Sequence, residues 1–352
     1  MRLGVCARRI VPGSVGTKAA SLPTDRSDRA AWRIPSPHAL PTHIKPLVAI
    51  AVARARTIST RTFLRIALAS CLVLFVVITS GAFVRLTGSG LGCENWPSCG
   101  SKPYPEQGFH AFVEFGNRMV ALVGIVLTLA TWLTSRWTSG LSGWGRWAAL
   151  GAFLVAIAQI PMGGITIALD LHPLAVMTHF LLGLAAFGLA LIAVLEAWSL
   201  RDGLAPPAGA RWFRRVVTWV GLPVCMALVV TGAVATASGP HPGSSEDVER
   251  LGLGIVDTVY VHVRVAAVFG IGVLVVGWFL RRLRSQYPGL LRIWIGLLVV
   301  LVAQAILGEV QYRNALPWGL VLVHVVLASA IWAFSLALAF ALWRPPASLR
   351  RQ

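Results

Sequence analysis

The chain has 352 residues, 56% of them hydrophobic and only 12% charged, with a net charge of +18. A water-soluble domain of this length has no use for so apolar a composition, whereas a multi-span membrane protein requires it. The positive charge is nearly all arginine, lysine standing only at 18, 45 and 102, and its placement between apolar runs explains it without nucleic acid.

In chain order, residues 1–60 are rich in Arg, Pro and Ser and show no helical periodicity, which reads as a disordered basic segment. Two origins are open for it: an upstream extension of a bacterial reading frame, or a mitochondrial transit peptide. Apolar runs of about 20 residues, each able to cross roughly 30 Å of hydrocarbon as a helix, follow at 63–84, 109–135, 147–168, 173–199, 214–237, 257–280, 290–311 and 318–343. Arginines fill alternate connections: 54, 56, 61 and 65; 136 and 146; 201, 211, 214 and 215; 281, 282, 284 and 292; 344, 350 and 351. By the positive-inside rule these segments and both termini are cytoplasmic, in a bacterial plasma membrane or, alternatively, a mitochondrial inner membrane. The other connections carry Glu94, Glu106, Asp170, Glu246, Asp247 and Glu249 and face outward.

The first outward connection contains GLGCENWPSCG at 90–100. A disulfide between Cys93 and Cys99 is geometrically easy in an oxidising compartment, either as a staple or as a redox-active pair. Cys71 and Cys225 fall inside spans and read as small buried side chains.

The two halves of the chain repeat one another. Asn117 and His179 are separated by 62 residues, as are His262 and His324, and the same gapless alignment places Gln159 on Gln304 and Gly163 on Gly308. Upstream, GAFVRLTGSG at 81–90 matches GAVATASGP at 232–240. The expected fold is an all-α membrane protein of eight transmembrane helices, built as two tandem four-helix bundles related by a pseudo-two-fold axis near the membrane normal. The units are 61–200 and 201–345, with 346–352 as a cytoplasmic tail.

Intramembrane histidines at a repeated spacing point to ligation. His262 and His324 on facing helices suit the two axial positions of a heme iron, a closed arrangement for electron transfer. In the first half His179 faces Asn117, whose carboxamide binds iron poorly, so that site is open and suits a heme that is itself a substrate. Glu114 shares a helix face with Asn117; it either exchanges protons or pairs with Arg118. His110 and His172 stand further outward, as replacement ligands or as polar residues at a helix entrance. Arg85, Arg118, Arg264 and Arg313 lie near the outer boundary, placed for heme propionates or for lipid headgroups. Trp96 and Trp318 read as interface anchors.

These residues resemble the heme A synthase family, membrane enzymes that convert heme O to heme A for cytochrome oxidases. The likeness covers about 63–343 and is carried by GAFVRLTGSGLGCENWPSC (81–99), EFGNR (114–118), AQIPMGGITIALDLHPLAVMTHF (158–180), TGAVATASGPHPG (231–243), the helix around His262, and AQAILGEVQYRNALPWGLVLVHV (303–325). It implies heme b between His262 and His324, and heme O as substrate in the first half with His179 as a ligand. It also implies a role for Glu114 in oxidising a heme methyl group to formyl by successive hydroxylations that use molecular oxygen, and a Cys93–Cys99 disulfide. Heme O synthase is the implied partner, with a cytochrome oxidase subunit as recipient; a homo-oligomer in the lipid bilayer is compatible with the pattern. Many members carry Glu-x-x-His where this chain has Glu114-Phe-Gly-Asn117, so an account with two histidines on the substrate heme does not carry over. The other function classes for such a pattern are a bis-histidine cytochrome b that only carries electrons, and a heme transfer or assembly protein. The asymmetry between the halves favours the enzyme, since a pure electron carrier has little use for His179, Glu114 and the cysteine loop.

Overall fold

The structure, a computed structural model, describes residues 57–93, 95–100, 104–105, 108–244 and 248–351. Among them are eight helices long and apolar enough to cross a membrane: α1 Thr60–Leu86, α2 Phe109–Trp137, α3 Gly143–Ala168, α4 Pro173–Asp202, α5 Arg211–Ser238, α6 Ile255–Leu283, α7 Pro288–Arg313 and α8 Trp318–Trp343. No strand occurs among the described residues beyond isolated bridges, as the all-α reading expects. Of the basic segment expected over 1–60, residues up to 56 lie outside the described part, as do Glu94, Glu106, Glu246 and Asp247. Most helices overrun the apolar stretches that announce them, because arginines such as Arg61, Arg65, Arg281 and Arg282 are tolerated in terminal turns where long side chains reach the interface.

Local chemistry sets the ends. The Ser59 and Ser142 hydroxyls accept from the Thr62 and Gly145 N–H groups at 3.1 Å, capping α1 and α3. Pro173 and Pro288 open α4 and α7, where a missing N–H is harmless. Pro223 lies just inside the α-helical part of α5, and the helix absorbs it through a π turn over Val217–Gly221.

Consecutive helices α1 to α4 pack in order and α1 also packs on α4, closing a four-helix ring; α5 to α8 do the same, with α8 on α5. The rings meet through α4 on α8, α1 on α8 and α4 on α5. Accordingly α4 and α8 are the most buried spans, with half of their apolar windows inside the protein against 28% or less for the others. Small residues allow that approach: a Cβ on Gly188 of α4 would stand 3.0 Å from Trp332 and Leu336 of α8.

Polar bonds tie the rings together at both faces. On the disulfide face the Gly90 N–H donates to the Gly243 carbonyl at 2.7 Å, and Arg85 donates to the carbonyls of His241 and Thr236, both at 3.1 Å. Arg250 also donates to Thr236, at 3.1 Å, and to Gly239; burial holds its guanidinium below its usual pKa. On the arginine-rich face Arg344 makes a bidentate pair with Glu196 at 2.8 and 2.9 Å, and the Ala205 and Ala208 N–H groups donate to Pro345 and Leu342.

Candidate functional site

His262 on α6 and His324 on α8 come together with ring centroids 6.4 Å apart and planes inclined by 62°. Two imidazoles bound to opposite faces of one metal ion at about 2 Å would have centroids about 6 Å apart. Among the described residues no cluster of three or more His, Cys, Asp or Glu could hold a metal ion. A lone imidazole pair therefore suits an iron whose equatorial ligands come from a porphyrin rather than from the protein. Each ring has a glycine opposite it on the preceding helix. A Cβ on Gly232 would stand 3.0 Å from His262 Cε1, and one on Gly308 would stand 3.3 Å from His324 Cε1. Larger side chains at these glycines would turn or displace the rings, so the donor set and its cradle fit a bis-imidazole heme.

The first half is built to the same plan. Gly81 on α1 faces Asn117 on α2, its Cβ position being 3.9 Å from Oδ1, and Gly163 on α3 faces His179 on α4, 3.7 Å from Cε1. All four equivalent positions thus meet a glycine on the helix before. Asn117 Oδ1 accepts from the Ser80 hydroxyl at 2.6 Å. His179 Nδ1 and Gln159 Nε2 are buried without a protein partner, as are His324 Nδ1 and Gln304 Oε1 in the second half. The Gln304 amide donates to the His324 carbonyl at 3.0 Å. Trp96, expected as an interface anchor, lies over Gly163 and Gly164, and a Cβ on Gly163 would stand 3.9 Å from its Nε1 and 3.7 Å from His179 Cε1.

Trp96 is put there by the cysteine loop. Cys93 and Cys99 form a disulfide. Buried Glu114 accepts from the Cys93 N–H at 2.8 Å and from Arg118 at 2.5 Å, while Arg118 also donates to the carbonyls of Asn95, Pro97 and Ser98. Of the two roles open to Glu114, the pairing with Arg118 is the one the geometry displays, and it fastens the loop to α2.

The remaining sequence candidates sit further out. His110 lines a cavity of about 280 Å³ between the rings with Arg85, Thr87, His241 and Ser244. The Ser89 hydroxyl lies 2.8 Å from the Thr87 hydroxyl and 2.8 Å from His110 Nδ1, linking the three side chains in a hydrogen-bonded row. His172 lies 3.8 Å from Glu249 on the exposed rim. Arg264 stacks over the Tyr260 ring, 3.0 Å from its centroid, and Arg313 pairs with exposed Glu309 at 2.5 Å. Sequence reasoning left Ser80, Thr231 and the facing role of the four glycines unassigned. The signal was present in the repeat, because Ser80-Gly81 aligns with Thr231-Gly232.

The family model for cytochrome oxidase assembly proteins of the COX15-CtaA type matches residues 64–108 and 104–336. The chain belongs to the COX15-CtaA family. Among relatives of this COX15-CtaA protein, a heme A synthase of Shewanella oneidensis is 24% identical over 323 residues, covering 78% of this chain and 95% of that one. A heme A synthase of Bacillus pumilus is 28% identical over 125 residues, covering 35% of this chain and 41% of the relative. A protoheme IX farnesyltransferase of Thermus thermophilus is 28% identical over 285 residues, which make up 75% of this chain but only 46% of that protein.

Proposed function

We infer that the protein is a heme A synthase, an oxidoreductase that converts the methyl group of heme O to a formyl group by successive oxygen-dependent hydroxylations. The observation that carries this reading is the asymmetric fourfold plan inside a COX15-CtaA chain: four glycine-backed positions on α2, α4, α6 and α8, three with histidine and one with asparagine. The two rings, residues 61–200 and 201–345, are taken as units related by a pseudo-two-fold axis along the membrane normal, which accounts for the matching helix neighbours in each. The disulfide face is the outer one, and both termini are cytoplasmic in a bacterial plasma membrane.

In the second unit His262 and His324 are the residues that would hold heme b. Heme b bound there supplies one-electron transfer. In the first unit His179 binds the substrate heme, and Asn117, held by Ser80, offers no imidazole on the opposite side. Each hydroxylation consumes an oxygen molecule and an electron pair, so a substrate iron with one strong protein ligand and a cofactor iron with two divide the work sensibly. Trp96 and the stapled loop cover the His179 site from outside, excluding water. Glu114 keeps that cover in place through Cys93 and Arg118, and is the nearest carboxylate for proton exchange on that helix face. Arg85, Arg118, Arg264 and Arg313 are the cations available to propionates; each has five N–H donors, more than its protein partners use. His110 and His172 remain neighbours of the substrate site rather than ligands in this scheme.

Heme O is the product of a protoheme IX farnesyltransferase. The Thermus thermophilus relative that bears that name contains a segment similar to most of this chain and continues well beyond it, which supports a partnership between the two enzymes. The test is extraction of hemes from the purified protein with and without a co-expressed heme O synthase. Heme A is expected only with the synthase, alongside heme b in both. Heme b alone in both preparations would instead assign an electron-carrying cytochrome.

A further inference from the structure

The hydroxyl of Thr231 lies 3.1 Å from His262 Nδ1 and, on its other side, 2.9 Å from the Ala227 carbonyl and 3.0 Å from that of Leu228. A hydroxyl has one proton, and a carbonyl can only accept. The Leu228 carbonyl is also a backbone hydrogen-bond partner of His262 and can only accept, so the imidazole carries its proton on Nδ1 and Thr231 Oγ1, with its own proton turned to the helix, is a second acceptor for it. With Nδ1 protonated, the neutral ring has its lone pair on Nε2.

We propose that Thr231 is the positioning residue of the second-half heme site: with the Leu228 carbonyl, its hydroxyl fixes the His262 tautomer and ring orientation and reserves Nε2 for the iron. The inference rests on the assignment of His262 and His324 as axial ligands, and adds a support that the ligand pair alone does not specify. The repeat carries it independently of that assignment. The equivalent hydroxyl, Ser80, addresses the equivalent residue, Asn117, from the same helix register at 2.6 Å. There the hydroxyl donates, its proton going to Oδ1 at 2.6 Å rather than to the Val77 carbonyl at 3.1 Å. One device thus orients the residue opposite α4 or α8 in both halves. In the second half the partner ligand has no such support, since His324 Nδ1 is buried without a protein partner. The two imidazoles are therefore unequal, His262 being the more basic because its Nδ1–H is bonded to a hydroxyl already polarised by two helix carbonyls.

A more basic axial ligand favours ferric over ferrous iron, so removing the bond raises the heme potential. The test uses the purified full chain as wild type, Thr231→Val and Thr231→Ser, with redox titration of heme b and its rate of loss to apomyoglobin. Thr231→Val, close in shape but without the acceptor, is expected to raise the midpoint potential and weaken heme retention about ten-fold or more; Thr231→Ser is expected to keep both near wild type. Unchanged potential and retention in Thr231→Val would overturn the proposal. Should the valine variant not accumulate, Thr231→Ala decides: a raised potential upholds the role and an unchanged one overturns it. If the wild type itself contains no six-coordinate heme b, it is the ligand assignment that fails; if it does and the valine variant matches it, only the role of Thr231 fails.

Discussion

Asn117 stands where the plan of the protein otherwise puts histidine, and its surroundings are those of a ligand position. Gly81 leaves its Oδ1 as free of crowding as Gly163 leaves the His179 ring, and Ser80 supplies a hydroxyl where Thr231 serves His262. An imidazole at 117 would thus meet space and a polar partner already in place. Asn117→His is expected to change stability by less than about 1 kcal/mol, in line with a substitution that neither opens a cavity nor strands a polar group. It should also convert the substrate heme to a six-coordinate, low-spin form while keeping turnover within about ten-fold, since many members of the family carry histidine at this position. Optical spectra of the protein loaded with heme O, read beside its rate of heme A formation, check both. A high-spin spectrum with wild-type turnover would show that residue 117 does not face the iron.

At the scale of the element, the stapled loop depends on a single carboxylate. Glu114 is 5% exposed and carries both the Cys93 N–H and Arg118, and Arg118 in turn holds three loop carbonyls. Glu114→Ala strands a buried amide and a guanidinium, a loss of about 3 kcal/mol for a hydrogen-bonded, mostly buried pair. Glu114→Gln keeps one acceptor, enough for Cys93, but loses the charge and turns its NH2 toward Arg118. Reduction of Cys93–Cys99 by a phosphine is therefore expected to speed up more in the alanine variant than in the glutamine one, with heme A formation falling in parallel. If turnover collapses in Glu114→Gln while the loop stays as resistant as in wild type, the carboxylate acts as a proton carrier and not as a fastening. The elements themselves were legible in the sequence, because eight apolar runs bounded by arginine and proline leave little choice of helix. The loop's docking was not, since the bonds from Glu114 and Arg118 reach backbone groups about 20 residues away and no periodicity encodes such contacts. The four equivalent positions, Asn117, His179, His262 and His324, were legible from the 145-residue repeat, whereas the facing glycines needed the helix neighbours to be known.

Across the whole molecule, the two rings are joined by a central apolar seam between α4 and α8 with a polar bracket at each end. The bracket on the arginine-rich face holds the only carboxylate among the described residues that is as little as 2% exposed, Glu196, against the guanidinium of Arg344, which follows the last turn of α8. Gly145 makes room for it: a Cβ there would come within 2.6 Å of Glu196 Cγ. The pair is paid for by desolvation and so adds little beyond an apolar substitute, yet breaking one side leaves a buried charge. Arg344→Ala is thus expected to destabilise the detergent-solubilised protein by about 2 kcal/mol, a figure reduced from the fully buried case because the Arg344 side chain is 37% exposed. The corresponding fall in melting temperature is about 5 °C. Glu196→Gln combined with Arg344→Gln should recover part of that loss, since no charge is then left buried, and a double-mutant cycle on thermal unfolding measures the coupling. Because the rings share α4 and α8 as a common core, heme b absorbance and helix content should be lost in one transition in the wild type and still together, at lower temperature, in Arg344→Ala. Two separate transitions would mean that each ring folds alone and that the bracket only sets their contact.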